Sequence, residues 1–141
     1  PYPGYGPVKH LNSELIRVRA QAADGKTYAP TSDFLWGNIE LPVPAGSQLA
    51  IRLRLLNTGE ATWAGTSKHG QASGVVRIVQ LPSRKPLAWL EQDVHRYQAA
   101  DIEIRNVAAP PKGERRRIKL QLEAANRCRF GQVICLVLVG Q

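Results

Sequence analysis

The sequence predicts an all-β fold, an antiparallel β-sandwich of about seven to eight short strands, and three observations carry that expectation. Apolar and polar residues alternate with a period of two in the strands of residues 48 to 56 and 114 to 123, most clearly at 51 to 55 and 117 to 123, the pattern of strands with one buried face. Short strand-like runs recur along the chain, each bounded by Gly, Pro or Asn. No segment sustains a helical period for long.

At the start of the chain, Pro1-Tyr2-Pro3-Gly4-Tyr5-Gly6-Pro7 cannot form a regular element, because proline lacks an amide donor and glycine is conformationally loose. Residues 1 to 12 therefore read as a linker or extension, and residues 13 to 141 as a single domain. Leu15-Ile16-Arg17-Val18-Arg19-Ala20 is a strand that turns at Asp24-Gly25, and residues 30 to 38 are loop. Residues 39 to 43 form the next strand, confined to a sheet edge by Pro42 and Pro44. In residues 48 to 56, Ile51, Leu53 and Leu55 share one face while Arg52 and Arg54 share the other. Residues 74 to 81 and 87 to 91 supply two more strands, and Ile102, Ile104 and Val107 mark another. In residues 114 to 123, Ile118, Leu120 and Leu122 point one way and Arg115, Arg117, Lys119 and Gln121 the other. The run Val133-Ile134-Cys135-Leu136-Val137-Leu138-Val139 closes the series. Sheets of this kind bury their apolar rows against each other and leave polar rows outside.

A chain of 141 residues suits one domain, which at this size buries roughly two thirds of its unfolded surface. Its longest apolar run has strand length and falls far below the ~20 residues of a membrane helix, so no membrane insertion is expected. Pro1 at the first position and the absence of Met indicate a segment of something longer, which makes a neighbouring domain of the same polypeptide the first expected partner. Nineteen basic against eleven acidic residues leave a net charge of +8, a surplus that raises nucleic acid or an anionic surface as a partner. Most of these charges fall at alternate strand positions or in turns, where they form the solvated face of a sandwich.

The strand of residues 48 to 56 runs into Asn57-Thr58-Gly59-Glu60-Ala61-Thr62-Trp63. In this corner Asn57 is expected to hydrogen-bond local backbone, Gly59 to supply a positive φ, and Trp63 to plug the space between the sheets. Together with Pro44-Ala45-Gly46-Ser47 before the strand, the segment resembles the immunoglobulin-like modules typified by the next-to-BRCA1 central domain. Their pattern is a Pro-Gly-type turn, a strand and an Asn-x-Gly-x-x-x-Trp corner. The downstream half is similar to the bacterial version, with Asp101-Ile102-Glu103-Ile104, Pro110-Pro111-Lys112-Gly113, Arg117-Ile118-Lys119-Leu120-Gln121-Leu122 and Cys128-Arg129-Phe130-Gly131. Arg116 and Arg129 stand where such relatives tend to carry aromatic residues. The resemblance spans residues 39 to 139 and implies an immunoglobulin-like antiparallel β-sandwich in which Asn57, Gly59, Trp63, Gly113 and Gly131 are structural. It also implies a non-catalytic accessory domain without a cofactor, since bacterial modules of this type are attached to glycosyltransferases, methyltransferases and glycoside hydrolases.

Two cysteines leave two readings open. A two-residue turn at Gly131-Gln132 would set Cys128 opposite Cys135, but at a hydrogen-bonded pair, which suits a disulfide less well than the closer kind. Two free thiols are favoured, with Cys135 as a small buried apolar residue. A reducing compartment such as the cytoplasm fits free thiols, whereas an oxidising one favours the bridge. His10, His69 and His95 lie far from both cysteines in sequence, so no metal site is expected. Asp93 and His95 would share a strand face with His69 approaching from a loop, the one constellation that could do metal or acid-base chemistry. No nucleophile elbow or phosphate-binding loop is present, and no catalytic residue is assigned.

The candidate ligand-binding residues are therefore Arg52 and Arg54 on one strand and Arg115, Arg117 and Lys119 on another. If those strands share a sheet, they make one positive face suited to phosphate groups, an acidic polysaccharide or an acidic partner. Aromatic residues are not interleaved with them, so nucleic acid is not expected. Sugar binding would draw on Tyr2, Tyr5, Tyr28 and Tyr97, all in loops or the linker. The leading expectation is an accessory or scaffolding module of a larger bacterial protein, a carbohydrate-active enzyme such as a glycosyltransferase. A binding module for a carbohydrate or anionic ligand comes second, and a small metal-dependent hydrolase third.

Overall fold

The computed structural model describes residues 10 to 141. The expected linker lies mostly outside that part, Tyr2 and Tyr5 with it. Among the described residues the alternating pattern becomes nine strands: β1 (Ser13–Ala22), β2 (Thr27–Tyr28), β3 (Asn38–Val43), β4 (Gln48–Asn57), β5 (Val76–Leu81), β6 (Lys85–Trp89), β7 (Ala99–Ala108), β8 (Arg115–Ala124) and β9 (Cys128–Gly140). One single-turn helix, α1 (Thr66–His69), lies between β4 and β5. No described helix is long and apolar enough to cross a membrane.

The strands form two sheets, one of order β2-β1-β4-β7 and one of order β3-β9-β8-β5-β6. Their apolar rows meet between the sheets. Leu49, Ile51, Leu53 and Leu55 of β4 and Ile118, Leu120 and Leu122 of β8 are buried, as the period of two requires. Trp63 and Phe130 cross the gap with ring centroids 5.9 Å apart and planes tilted by 56°, a favoured aromatic geometry. Residues 10 to 12 pack on this body as well: Leu11 is buried, and the His10 carbonyl accepts from Ala61 N–H at 2.8 Å.

Two expectations about pairing are corrected. The sheets are not wholly antiparallel, because β3 runs parallel to β9 from Asn38 opposite Cys135 to Val43 opposite Gly140. The loop of residues 29 to 37 carries the chain from β2, at the edge of one sheet, to β3, at the edge of the other. An edge place suits Pro42, which has no amide to donate. The strand count rises to nine because the two-residue β2 pairs with the end of β1 through Ala20 opposite Tyr28 and Gln21 opposite Thr27.

The last hairpin also turns elsewhere than at Gly131-Gln132. It closes at Asn126-Arg127, where Asn126 has φ 62° and Arg127 N–H donates to the Ala124 carbonyl at 2.9 Å. β9 is therefore continuous through Gly131, and the register shifts there, between Leu120 opposite Ile134 and Leu122 opposite Phe130. Gly131 lies in this bulge with φ 75°, and a Cβ on it would come within 2.8 Å of the Ser13 backbone nitrogen. Only glycine fits such a place. Gly113, with φ 81°, closes the turn before β8.

Candidate functional site

The Asn57 corner is built from the end of β4. The buried Asn57 amide donates to the carbonyls of Ala61 at 3.0 Å and Val94 at 2.9 Å, and its oxygen accepts from Gly59 N–H at 3.0 Å. One side chain thus replaces the hydrogen bonds that the corner's backbone cannot make for itself. Gly59 has a different reason from the one expected. It does not hold a positive φ, but a Cβ on it would stand 2.5 Å from the His10 carbonyl oxygen and 2.7 Å from Asn12 N. Close approach of the incoming chain, not turn conformation, demands glycine. Trp63 is fully buried with its indole N–H unpaired, so the corner plugs the sandwich and presents no platform to solvent.

The two basic rows do not form one face. Arg52 and Arg54 lie on β4 in the four-stranded sheet, whereas Arg115, Arg117 and Lys119 lie on β8 in the five-stranded sheet. Outward side chains of the two sheets of a sandwich point in opposite directions. Acids on other strands of the same sheet also temper both rows: Arg52 lies 3.7 Å from Glu103 and Arg54 3.2 Å from Asp101 of the adjacent β7, and Arg115 reaches past β9 to within 3.1 Å of Glu40 of β3. The neighbour of Arg52 and Arg54 is instead β1, with Arg17 opposite Arg54 and Arg19 opposite Arg52. Sequence reasoning left out Arg17 and Arg19, although both occupy the outward positions of the first predicted strand.

The histidine and acid constellation opens rather than converges. His69 Nε2 approaches Asp93 Oδ1 at 3.7 Å, but His95 Nδ1 pairs with the Thr62 hydroxyl at 3.0 Å. Residues 91 to 98 contain only an isolated bridge at Val94, so Asp93 and His95 share no strand face. Asp93 caps the segment before α1 by accepting from Gly65 N–H at 2.8 Å. That bond, with the nearby Lys68 and His69 charges, holds its carboxyl below the usual aspartate range. Among the described residues no group of three or more His, Cys, Asp or Glu is placed to hold a metal.

Both cysteines are free thiols, but their burial reverses the expectation: Cys128 is buried and Cys135 half-buried. Cys128 stands opposite Ala124 and Cys135 opposite Lys119, far apart along the same hairpin. Burial, with the Glu123 carboxylate behind it, pushes the Cys128 thiol up.

Glu123 is a site that the alternation hides. Its register opposite Arg77 and Arg129 puts it on the outward row of β8, yet it is 1% exposed. Arg77 donates Nε and Nη2 to one carboxylate oxygen at 2.9 and 2.6 Å, and Arg84 donates the same pair to the other at 3.0 and 2.6 Å. Arg77 also lies 5.1 Å over the Trp89 ring, a cation–π contact. A surface cleft of about 1060 Å³ runs between β6 and β7 and is lined in part by Trp89, Gln92, Asp93, Asp101 and Glu103.

Four exposed apolar side chains gather around Gln132. This buried side chain accepts from Leu15 N–H at 2.8 Å and donates to the Leu35 carbonyl at 2.5 Å, tying β9, β1 and the 29 to 37 loop together. Beside these anchor points Ile16 is 42% exposed, Phe34 69%, Trp36 48% and Val133 43%. Ladder pairing stops short of this place, since β2 pairs only with the far end of β1 and β3 pairs with β9 only from Cys135 onward, and Gln132 takes up the Leu15 N–H and the Leu35 carbonyl instead. Comparison with models of known protein families and with curated proteins finds no match to this chain.

Proposed function

We propose that this domain is a non-catalytic accessory module of a larger polypeptide and that it docks a neighbouring domain through the apolar edge of Ile16, Phe34, Trp36 and Val133. The observation that carries the reading is the position of that edge, beside Ser13, where the preceding chain enters the sandwich. Exposed apolar groups clustered at one place mark an interaction surface, whereas the same groups scattered singly would mean little. The resemblance to immunoglobulin-like modules of the next-to-BRCA1 central domain type supports the same role and favours a carbohydrate-active parent such as a bacterial glycosyltransferase.

The test is hydrogen–deuterium exchange on the longer polypeptide and on this domain alone. Amides of residues 13 to 17, 33 to 37 and 131 to 134 should be protected in the longer protein and lose that protection in Phe34→Ser with Trp36→Ser. Equal exchange in the two proteins would refute the docking.

A further inference from the structure

We propose that the outer face of the four-stranded sheet carries a site for a tetrahedral oxyanion, a phosphate or sulfate ester group, formed by Arg17 and Arg19 of β1 with Arg52 and Arg54 of β4. The register sets Arg17 opposite Arg54 and Arg19 opposite Arg52. Like charges directly opposite each other on adjacent strands are destabilising, and here the pairing occurs twice in succession.

The acids at hand do not neutralise it. Asp101 and Glu103 belong to β7, on the far side of β4 from β1. Asp101 is engaged by Arg54 at 3.2 Å, and Glu103 is shared between Arg52 at 3.7 Å and Arg105 at 3.2 Å. The Arg17 side chain has no hydrogen-bond or ion-pair partner among the described residues. Arg19 donates only to the carbonyl of Val18, at 2.6 Å. The β1 half of the quartet is thus the half without a counter-charge.

The four arginines, Thr27 and Asp101 line a hollow of about 180 Å³. Thr27 adds a hydroxyl donor, and Asp101 is the one repulsive group in the lining. A phosphate or sulfate ester presents three oxygens, enough to accept forks arriving from two strands at once. Arginine suits this role because its planar donors stay charged at any working pH and match oxyanion geometry. The docking edge uses none of these four residues, so this site stands independently of it.

Calorimetric titration and thermal unfolding with inorganic phosphate and with sulfate, each against chloride at matched ionic strength, test the proposal. Saturable binding is expected, and the tighter anion identifies the ester. Arg17→Gln with Arg19→Gln should weaken it at least tenfold while leaving the anion-free thermal midpoint level or raised, because like-charge repulsion is relieved. Arg117→Gln with Lys119→Gln, on the opposite sheet, should bind like the parent. No binding beyond the chloride control, or equal weakening in the two double variants, would overturn the site. So would a lowered anion-free midpoint together with full retention of binding, which would assign Arg17 and Arg19 to the fold alone.

Discussion

Replacing Glu123 by glutamine removes the one negative charge that two guanidinium groups share under the outer surface of the five-stranded sheet. The carboxylate is 1% exposed and accepts four charge-assisted bonds of 2.6 to 3.0 Å. Glutamine keeps one oxygen for one arginine and turns an NH2 donor toward the donors of the other, leaving a buried cation unpaired. Breaking a buried pair from one side costs about 3–5 kcal/mol. The lower end applies, because the Arg84 side chain is 49% exposed and can turn to water, whereas Arg77 is only 16% exposed. A loss of ~3 kcal/mol divided by a urea slope of ~2 kcal/mol/M gives a midpoint lower by ~1.5 M. Arg84→Gln, which frees only the half-solvated partner, should cost clearly less, and Arg77→Gln should fall between the two. Equilibrium urea unfolding followed by tryptophan fluorescence measures all three. A Glu123→Gln loss below ~1 kcal/mol, within the range of an exposed pair, or an Arg84→Gln loss as large as that of Glu123→Gln, would show that Glu123 does not hold a buried cation in place.

Gly59→Ala should destabilise by ~1–3 kcal/mol through overpacking, since the added Cβ meets backbone of His10 and Asn12 rather than a movable side chain. Thermal unfolding reads this, and an unchanged midpoint would show that the incoming chain does not hold its place. Acid unfolding should report Asp93. Its folded-state value lies below that of the unfolded chain, so its contribution is complete above about pH 4 and disappears as pH falls through the folded value. Asp93→Asn should therefore be less stable than the parent near neutrality, with the gap closing in acid. A gap independent of pH would assign the loss to shape rather than charge.

Much of the sandwich was legible because a period of two is a property of neighbouring residues. Which side chains of β4 and β8 face the core follows from Leu49 to Leu55 and from Ile118 to Leu122 without knowledge of any partner strand, and Asn57 and Trp63 identify their own corner. Pairing is a different kind of information. Nothing local states that β4 lies beside β1 and β7, or that β8 belongs to the other sheet. Only that assignment separates Arg52 and Arg54 from Arg117 and Lys119, and brings Arg17 and Arg19 beside them. The same limit hid Glu123, an outward residue by alternation that is buried because Arg77 of β5 and Arg84 of the β5–β6 turn close over it. It misassigned the reason for Gly59, whose constraint comes from a segment almost fifty residues earlier in the chain. The faces of the strands could be read from neighbouring residues, since side-chain direction is set by local backbone geometry. The tertiary structure alone decided which charges meet, since that depends on contacts between residues far apart in the chain.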